Sequence, residues 1–293
     1  MQRETLAIVG FGDLGERLVG RVNPARWRCI GLRRNIAALP AAVKGVAADF
    51  ARPASLAALS SLKPDVLVVA LTPAQRSEAG YRAGFTDAMA ATIAGLGGHQ
   101  PRQAFFVSST RVYSESAGGW VDEDSAVASD DPFAAAILAA ESQLLDALPG
   151  AVVLRAAGLY GHGPGPLLKR VAAGHLTPRE PPRFGNRVHR DDVAGFLAHC
   201  LTHPPPQRII NLVDDAPVAL QEVEAWLCGQ LRQPYEPPAA DPAQAPPAHK
   251  RIRNDRLHDC GFGLEYPDYR AGYAAVLHRW MVHSEREDGL DLH

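Results

Sequence analysis

Residues 6–15 read Leu6-Ala7-Ile8-Val9-Gly10-Phe11-Gly12-Asp13-Leu14-Gly15. Four apolar residues in a row fit a short strand buried on both faces. The stretch that follows, residues 13–22, has helical spacing. Between them lies the pattern G-x-G-x-x-G, a weak signal alone and a stronger one when it joins a strand to a helix. Gly10 permits the tight turn. Gly12 lets backbone approach a pyrophosphate with no Cβ in the way, and Gly15 lets the helix pack close to the sheet. The helix start offers free N–H donors and a positive dipole end to phosphate. The expected phosphate site is therefore Gly10, Gly12, Asp13, Leu14 and Gly15. The competing reading is a glycine turn that serves only compactness.

Working outward, similar apolar runs recur at 29–32, 44–48, 66–71, 104–108, 151–155 and 209–213. Helix-period stretches at 76–96, 132–148 and 192–201 alternate with them, with Pro132 suited to a first turn. Alternation of this kind implies right-handed βαβ crossovers. The expected fold class is α/β, a Rossmann-type doubly wound parallel sheet with a small C-terminal substrate lobe. The texture changes after residue 156. Loop-rich stretches at 161–166 and 178–185 are followed by six prolines within 234–247. The expected division is 1–155 with 186–214 as the dinucleotide-binding domain, 156–185 with 215–283 as the substrate lobe, and 284–293 as a flexible tail.

A chain of 293 residues that is 46% hydrophobic and 21% charged has ample material for a core, which excludes a largely disordered protein. Lys and Arg number 30 against 32 Asp and Glu, so the basic excess of a phosphate-backbone binder is missing and nucleic acid is not the expected partner. The run 66–71 is too short to span a bilayer. Four scattered cysteines with no CxxC pair give neither a disulfide framework nor a structural zinc site. The expected location is the cytoplasm, with no membrane partner.

The end of the second run tests which dinucleotide is bound. NAD readers place Asp or Glu there for the ribose 2′-OH. This chain has Leu32-Arg33-Arg34-Asn35. An acidic group would repel a 2′-phosphate, whereas a guanidinium fork pairs with one bidentately. Arg33 and Arg34 thus point to NADP, with NAD as the second choice. The bland alternative is two solvated surface arginines. Asp49, just after the third run, is a candidate for the adenine amino group or, equally, a loop cap. Leu71, closing the fourth run, joins the expected cofactor site.

Further strings share one direction: residues 107–113 (Val-Ser-Ser-Thr-Arg-Val-Tyr), 154–161 (Leu-Arg-Ala-Ala-Gly-Leu-Tyr-Gly) and 186–193 (Asn-Arg-Val-His-Arg-Asp-Asp-Val). With the glycine turn, they resemble the extended short-chain dehydrogenase/reductases, the NAD-dependent epimerase/dehydratase group. The strings at 253–257 and 266–273 look like an atypical bacterial branch of it. The resemblance runs from about residue 5 to 280. It implies a Rossmann domain, a smaller C-terminal substrate lobe and a cleft between them. It also implies a Ser or Thr three residues before the Val-Tyr pair that bonds the substrate. Ser109 holds that place, and Thr110 beside it can share the task. The alternative for Ser109 is a strand-end hydroxyl bonding local backbone.

The departure from the family is equally informative. Its acid/base is a Tyr with a Lys four residues on, eight and four residues before a helical Glu. Counting back from Glu141, those positions hold Phe133 and Ile137, and no Y-x-x-x-K occurs in the chain. Substitutes are Tyr113, Tyr160 and His162. His189 titrates in the right range, but its place before Asp191-Asp192 reads as a helix start with an Asp cap. The leading expectation is an NADP(H)-binding oxidoreductase or epimerase/dehydratase-like protein acting on a small carbonyl, hydroxyl or sugar-type substrate. The alternative is a non-catalytic NADP(H) sensor, and a purely structural Rossmann scaffold is a third. The resemblance further implies a homodimer through the helices at 76–96 and 132–148.

Overall fold

The structure, a computed structural model, describes residues 3–240 and 249–288. The proline-rich stretch at 234–247 lies outside the described residues from 241 onward. Seven strands form one parallel sheet: β1 (Glu4–Val9), β2 (Trp27–Arg33), β3 (Lys44–Ala47), β4 (Val66–Val69), β5 (Gln103–Ser109), β7 (Ala151–Ala156) and β10 (Ile209–Leu212). Their order across the sheet is β10-β7-β5-β4-β1-β2-β3. The chain builds outward from β1 in one direction, then restarts at β4 and builds the other way. That reversal leaves a crevice at the C-terminal ends of β1 and β4, where open α/β sheets bind ligands.

The burial pattern explains why the runs became strands. Every residue of β4 and of β7 is buried, and β1 is buried from Thr5 onward. Strands covered by helices on both faces need such continuous apolar runs. β4 stops at Val69, so Leu71 is a buried residue beyond the strand. The first helix, Asp13–Val19, is shorter than the sequence pattern. The long stretch at 76–96 starts later, at Glu78, where the Ser77 side chain accepts the Gly80 N–H, and it contains a π-helical turn, Arg82–Asp87.

Two small sheets were not signalled by apolar runs. β6 (Ala117–Val121) pairs with β11 (His249–Ile252), and β8 (Gly158–Tyr160) pairs with β9 (Arg187–His189). β8 and β9 stand just past β7 and carry the loop at 161–166 toward the glycine turn. A second apolar cluster gathers Leu168, Val171, Val223, Leu227, Tyr269 and Tyr273, away from the sheet's own core. The final helix, Tyr269–Asp288, runs into the segment expected as a tail, and residues 289–293 lie outside the described ones.

One expected cap is corrected. The helix Arg190–Cys200 begins two residues early, and its N-cap is His189, whose Nδ1 accepts the Asp191 N–H at 3.2 Å. Asp192 instead accepts the Glu265 and Tyr266 N–H groups at 2.6 and 3.2 Å, tying this helix to the C-terminal chain. His189 is fully buried, and burial pushes its imidazole down to about 4 despite the nearby Asp191. It is a neutral cap, not a titrator near pH 7.

Candidate functional site

A cavity of about 480 Å³ opens at the switch point between β1 and β4. Its wall takes Gly10, Gly12, Asp13 and Leu14 from the glycine turn, Leu71 and Thr72 from beyond β4, Ser108 and Ser109 from β5, and Ala156 and Ala157 from β7. Four separate strand ends or loops thus converge on one space.

The three glycines answer to different neighbours. Gly10 has φ +79°, and a Cβ there would sit 2.2 Å from the Ala70 carbonyl oxygen. The fold itself demands it. A Cβ on Gly15 would meet the Phe11 ring at 3.0 Å, and one on Gly31 would meet the same ring at 2.8 Å. Gly15 therefore makes room for the Phe11 ring, which also lies over Gly31 of β2. Gly12 is unlike both. Its φ is negative, and a Cβ would find only the Gly10 carbonyl oxygen, at 3.9 Å. Neither strain nor packing within the protein requires glycine at 12, yet the position lines the cavity. A group that needs close backbone approach fits that observation.

Asp13 sits at the start of the helix with its carboxylate fully engaged. Arg17 Nε is 3.0 Å from Oδ2, Arg190 Nη1 is 3.1 Å from Oδ2, and His162 Nδ1 is 3.0 Å from Oδ1. Burial raises the carboxyl, but the Arg17 hydrogen bond and the surrounding cations hold it below the usual carboxylate range. Arg17 also reaches Asp191 at 2.7 Å and the Gly161 carbonyl oxygen at 3.2 Å. This cluster knots the glycine turn to the 161–166 loop and to the helix at 190.

At the far end of β2, Arg33 is half-buried and Arg34 exposed. Neither guanidinium has an ion-pair or hydrogen-bond partner among the described residues, and neither lines the cavity. Asp49 is already occupied: its Oδ1 accepts the Ala51 N–H at 3.1 Å, the behaviour of a loop cap.

The expected catalytic residues separate on inspection. Ser109 lines the cavity, and its Oγ accepts the Arg111 N–H at 3.2 Å, so it caps the short turn Thr110–Val112 as well. Thr110 lies on that turn and does not line the cavity. Tyr113 is a correction. It is 2% exposed, its phenol donates to Asn211 Oδ1 at 2.6 Å, and the Arg155 guanidinium lies 5.0 Å from its ring centroid. Burial, opposed by Arg155, raises its pKa. A phenol so placed is a core side chain. Tyr160 is half-buried and stacked on Tyr273 at 4.8 Å, and burial with the Asp214 charge pushes its phenol upward. His162 is exposed and committed to Asp13.

The wall where the family carries its acid/base is filled differently. Ile137 is 1% exposed and packs in the core. Phe133 meets the edge of Tyr81 at 4.8 Å, and Arg111 lies over both rings, at 4.8 and 6.0 Å. At the cavity itself, Ser108 Oγ donates to Glu141 at 2.5 Å, and Arg155 pairs with the same carboxylate at 2.8 Å. Among the described residues no phenol, imidazole or ammonium lines the cavity.

Sequence reasoning missed two cavity cations, Arg76 and Arg190. Arg76 follows Thr72-Pro73 in a loop that gives no motif. Arg190 was visible in the 186–193 string, but nothing local to it says that the helix start faces the glycine turn.

No family model matches the chain, and no curated protein does either. Solved structures do. A candidate NAD-dependent epimerase/dehydratase from Methylobacillus flagellatus is 32% identical, covering 95% of this chain and 99% of its own, with a TM-score of 0.77. A functionally unknown protein from Silicibacter pomeroyi is 29% identical over 94% of this chain and 99% of its own, with a TM-score of 0.72. The Bordetella bronchiseptica enzyme WbmG, solved with NAD and UDP, is 15% identical over 97% and 96%, with a TM-score of 0.79, and shows likeness of fold. The chain belongs to the NAD-dependent epimerase/dehydratase family, and its Rossmann-type sheet is that family's.

Proposed function

We propose that this protein binds NADP(H) at the glycine turn and acts as an oxidoreductase or epimerase/dehydratase-like enzyme on a small carbonyl, hydroxyl or sugar-type substrate. The observation that carries the reading is Gly12: the protein needs no glycine there for itself, and the position faces the cavity at the switch point. Solved relatives bound to NAD, and in one case also to UDP, support a nucleotide ligand of this general kind. The choice of NADP rests on Arg33, which ends β2, and Arg34 just beyond it, with no acidic residue beside them in sequence and no partner among the described residues.

The nicotinamide dinucleotide, when bound, supplies the hydride chemistry. The chain's own parts bind and orient. Gly10, Gly12, Asp13 and Leu14 present backbone at the helix start. Leu71, Ala156 and Ala157 line an apolar part of the cavity. Ser109 offers a hydroxyl at the strand end for a substrate oxygen, with Thr110 one residue away. In the same proposal, residues 156–185 and 215–283 form the substrate lobe, the protein is cytoplasmic, and two copies pair through the helices at 76–96 and 132–148. Among the described residues, no helix is long and apolar enough to cross a membrane.

A second reading, a non-catalytic NADP(H) sensor, is favoured by one observation: Phe133 and Ile137 are built into packing where the Tyr and Lys would stand. Fluorescence titration with NADPH, followed by absorbance at the reduced-nicotinamide band against a carbonyl panel, separates the two. Turnover that drops at least tenfold in Ser109→Ala supports the enzyme. Tight binding with no turnover across the panel supports the sensor. Absence of saturable NADPH binding removes both.

A further inference from the structure

Two cavities meet beside the glycine turn. The first is the 480 Å³ space described above. The second, of about 340 Å³, is lined by Tyr160, His162, Asn186, Arg187 and Tyr273 among others. Only Leu159 and Arg190 line both. Arg190 is therefore the one charged side chain at the junction among the described residues. It is the first residue of the helix Arg190–Cys200, and β9 immediately precedes it. The β8–β9 pair thus brings a cation from late in the chain to a turn formed at its start.

The placement of Asp13 raises a physical problem. A carboxylate at the start of the phosphate-binding helix repels the anion that the helix N-terminus attracts. The answer lies in its partners. Arg17 spans Asp13 and Asp191, so its charge is already divided between two carboxylates. Arg190 has Asp13 as its only ion-pair partner among the described residues, at 3.1 Å. Its Nε, though buried, makes no hydrogen bond among the described residues. Of the two arginines on Asp13, Arg190 alone lines the cavity.

We infer that Arg190 is the cation that pairs with the dinucleotide's pyrophosphate at the glycine turn, and that Asp13 is the positioning residue that holds it there. This rests on the dinucleotide reading above. The glycine turn supplies neutral N–H donors, and Arg190 supplies the full positive charge that such a turn lacks. The carboxylate is then no flaw in an anion site. It fixes the guanidinium fork in one orientation before the ligand arrives, which reduces the ordering cost of binding.

The test compares two ligands by fluorescence and competition titration: NADPH, and adenosine 2′-monophosphate, which has the 2′-phosphate and no pyrophosphate. Arg190→Ala is expected to weaken NADPH tenfold or more and to change adenosine 2′-monophosphate less than twofold. Arg190→Lys is expected to recover part of the loss. Asp13→Asn is expected to weaken NADPH severalfold in the wild type and to add nothing in the Arg190→Ala background. Wild-type NADPH affinity in Arg190→Ala overturns the inference, as does an equal loss of both ligands. Additive effects of the two substitutions overturn the positioning role of Asp13. A wild-type protein that binds adenosine 2′-monophosphate and not NADPH also overturns it. A wild type that binds neither ligand defeats the dinucleotide reading itself.

Discussion

The glycine turn and the helix that carries Phe133 and Ile137 differ in what their residues answer to. On the glycine wall, Gly12 answers to no neighbour in the protein and Arg76 has no partner among the described residues; Arg33 and Arg34, outside the cavity, have none there either. On the helix Pro132–Ala147, outside the cavity lining, Phe133 meets the edge of Tyr81 with Arg111 over both rings, and Ile137 is in the core; Ser108, which does line the cavity, donates to Glu141. Under the proposed reading, the glycine turn is open to a ligand, whereas Phe133 and Ile137, at the positions counted back from Glu141, are committed to packing. Binding and proton transfer would then be separable in this fold.

Each expected outcome below can break that contrast, beginning with the largest effect. Ile137→Lys puts an ammonium into a site 1% exposed. The expected cost is about 3–5 kcal/mol of stability in chemical denaturation, because a lone buried charge has no partner there. A stable Ile137→Lys protein, above all one that gains carbonyl reduction with Phe133→Tyr, would show that this helix is still a working catalytic frame. On the glycine wall, Gly12→Val is expected to weaken NADPH by at least about 100-fold, roughly 3 kcal/mol, while the melting temperature stays close to wild type. Gly10→Ala should instead unfold at lower temperature, since its Cβ would lie 2.2 Å from the Ala70 oxygen. If both glycine variants lose stability alike, the turn serves compactness alone.

The protein also holds two contrasting carboxylates. Asp13 is held low among cations, whereas Asp214, 1% exposed, is pushed up to about 7 by burial, with Arg187 only partly offsetting it. The folded value of Asp214 lies above the ordinary 3.8, so the folded state binds more protons between about pH 4 and 7. Its contribution is fully present below the unfolded value and is lost as pH rises through 7. Asp214→Asn should therefore stabilise the protein by about 2 kcal/mol at pH 8, and the gain should vanish near pH 4. Denaturation midpoints at the two pH values check the sign. A gain that grows on acidification would contradict the assignment. The smallest effect expected is at the rim: Arg33→Ala or Arg34→Ala should cost about tenfold in NADPH affinity, near 1.4 kcal/mol, with NADH unchanged in the same titration.

Much of this architecture was legible in the residues. The strands of the main sheet announce themselves as apolar runs where both faces are covered, most weakly at the half-buried to exposed edge strand β3, and the turn at 10–15 carries its own signature. β6 gave no signal, since Gly118 and Gly119 interrupt it, and β11 reads His-Lys-Arg-Ile, a polar strand at the surface. The substitution of the acid/base pair could be counted from Glu141. The fate of Tyr113 could not: the pattern places it beside the serine, and only the fold shows that its hydroxyl turns inward to Asn211, 98 residues away. Arg190 was hidden for the same reason. It lies 177 residues from Asp13, and long-range pairing of single charged residues leaves no local periodicity. The helix cap at 189 was misread because an Asp is the commoner cap, and here Asp192 is drawn to Glu265 and Tyr266 instead.

The most direct test of the central claim is a side-by-side fluorescence titration of the wild-type protein with NADPH and NADH. An open glycine wall beside an arginine-tipped β2 predicts saturable binding of both, with NADPH tighter by at least about tenfold. Equal affinities would contradict the role of Arg33 and Arg34, and the absence of saturable binding by either would contradict the account of the glycine wall as a dinucleotide site.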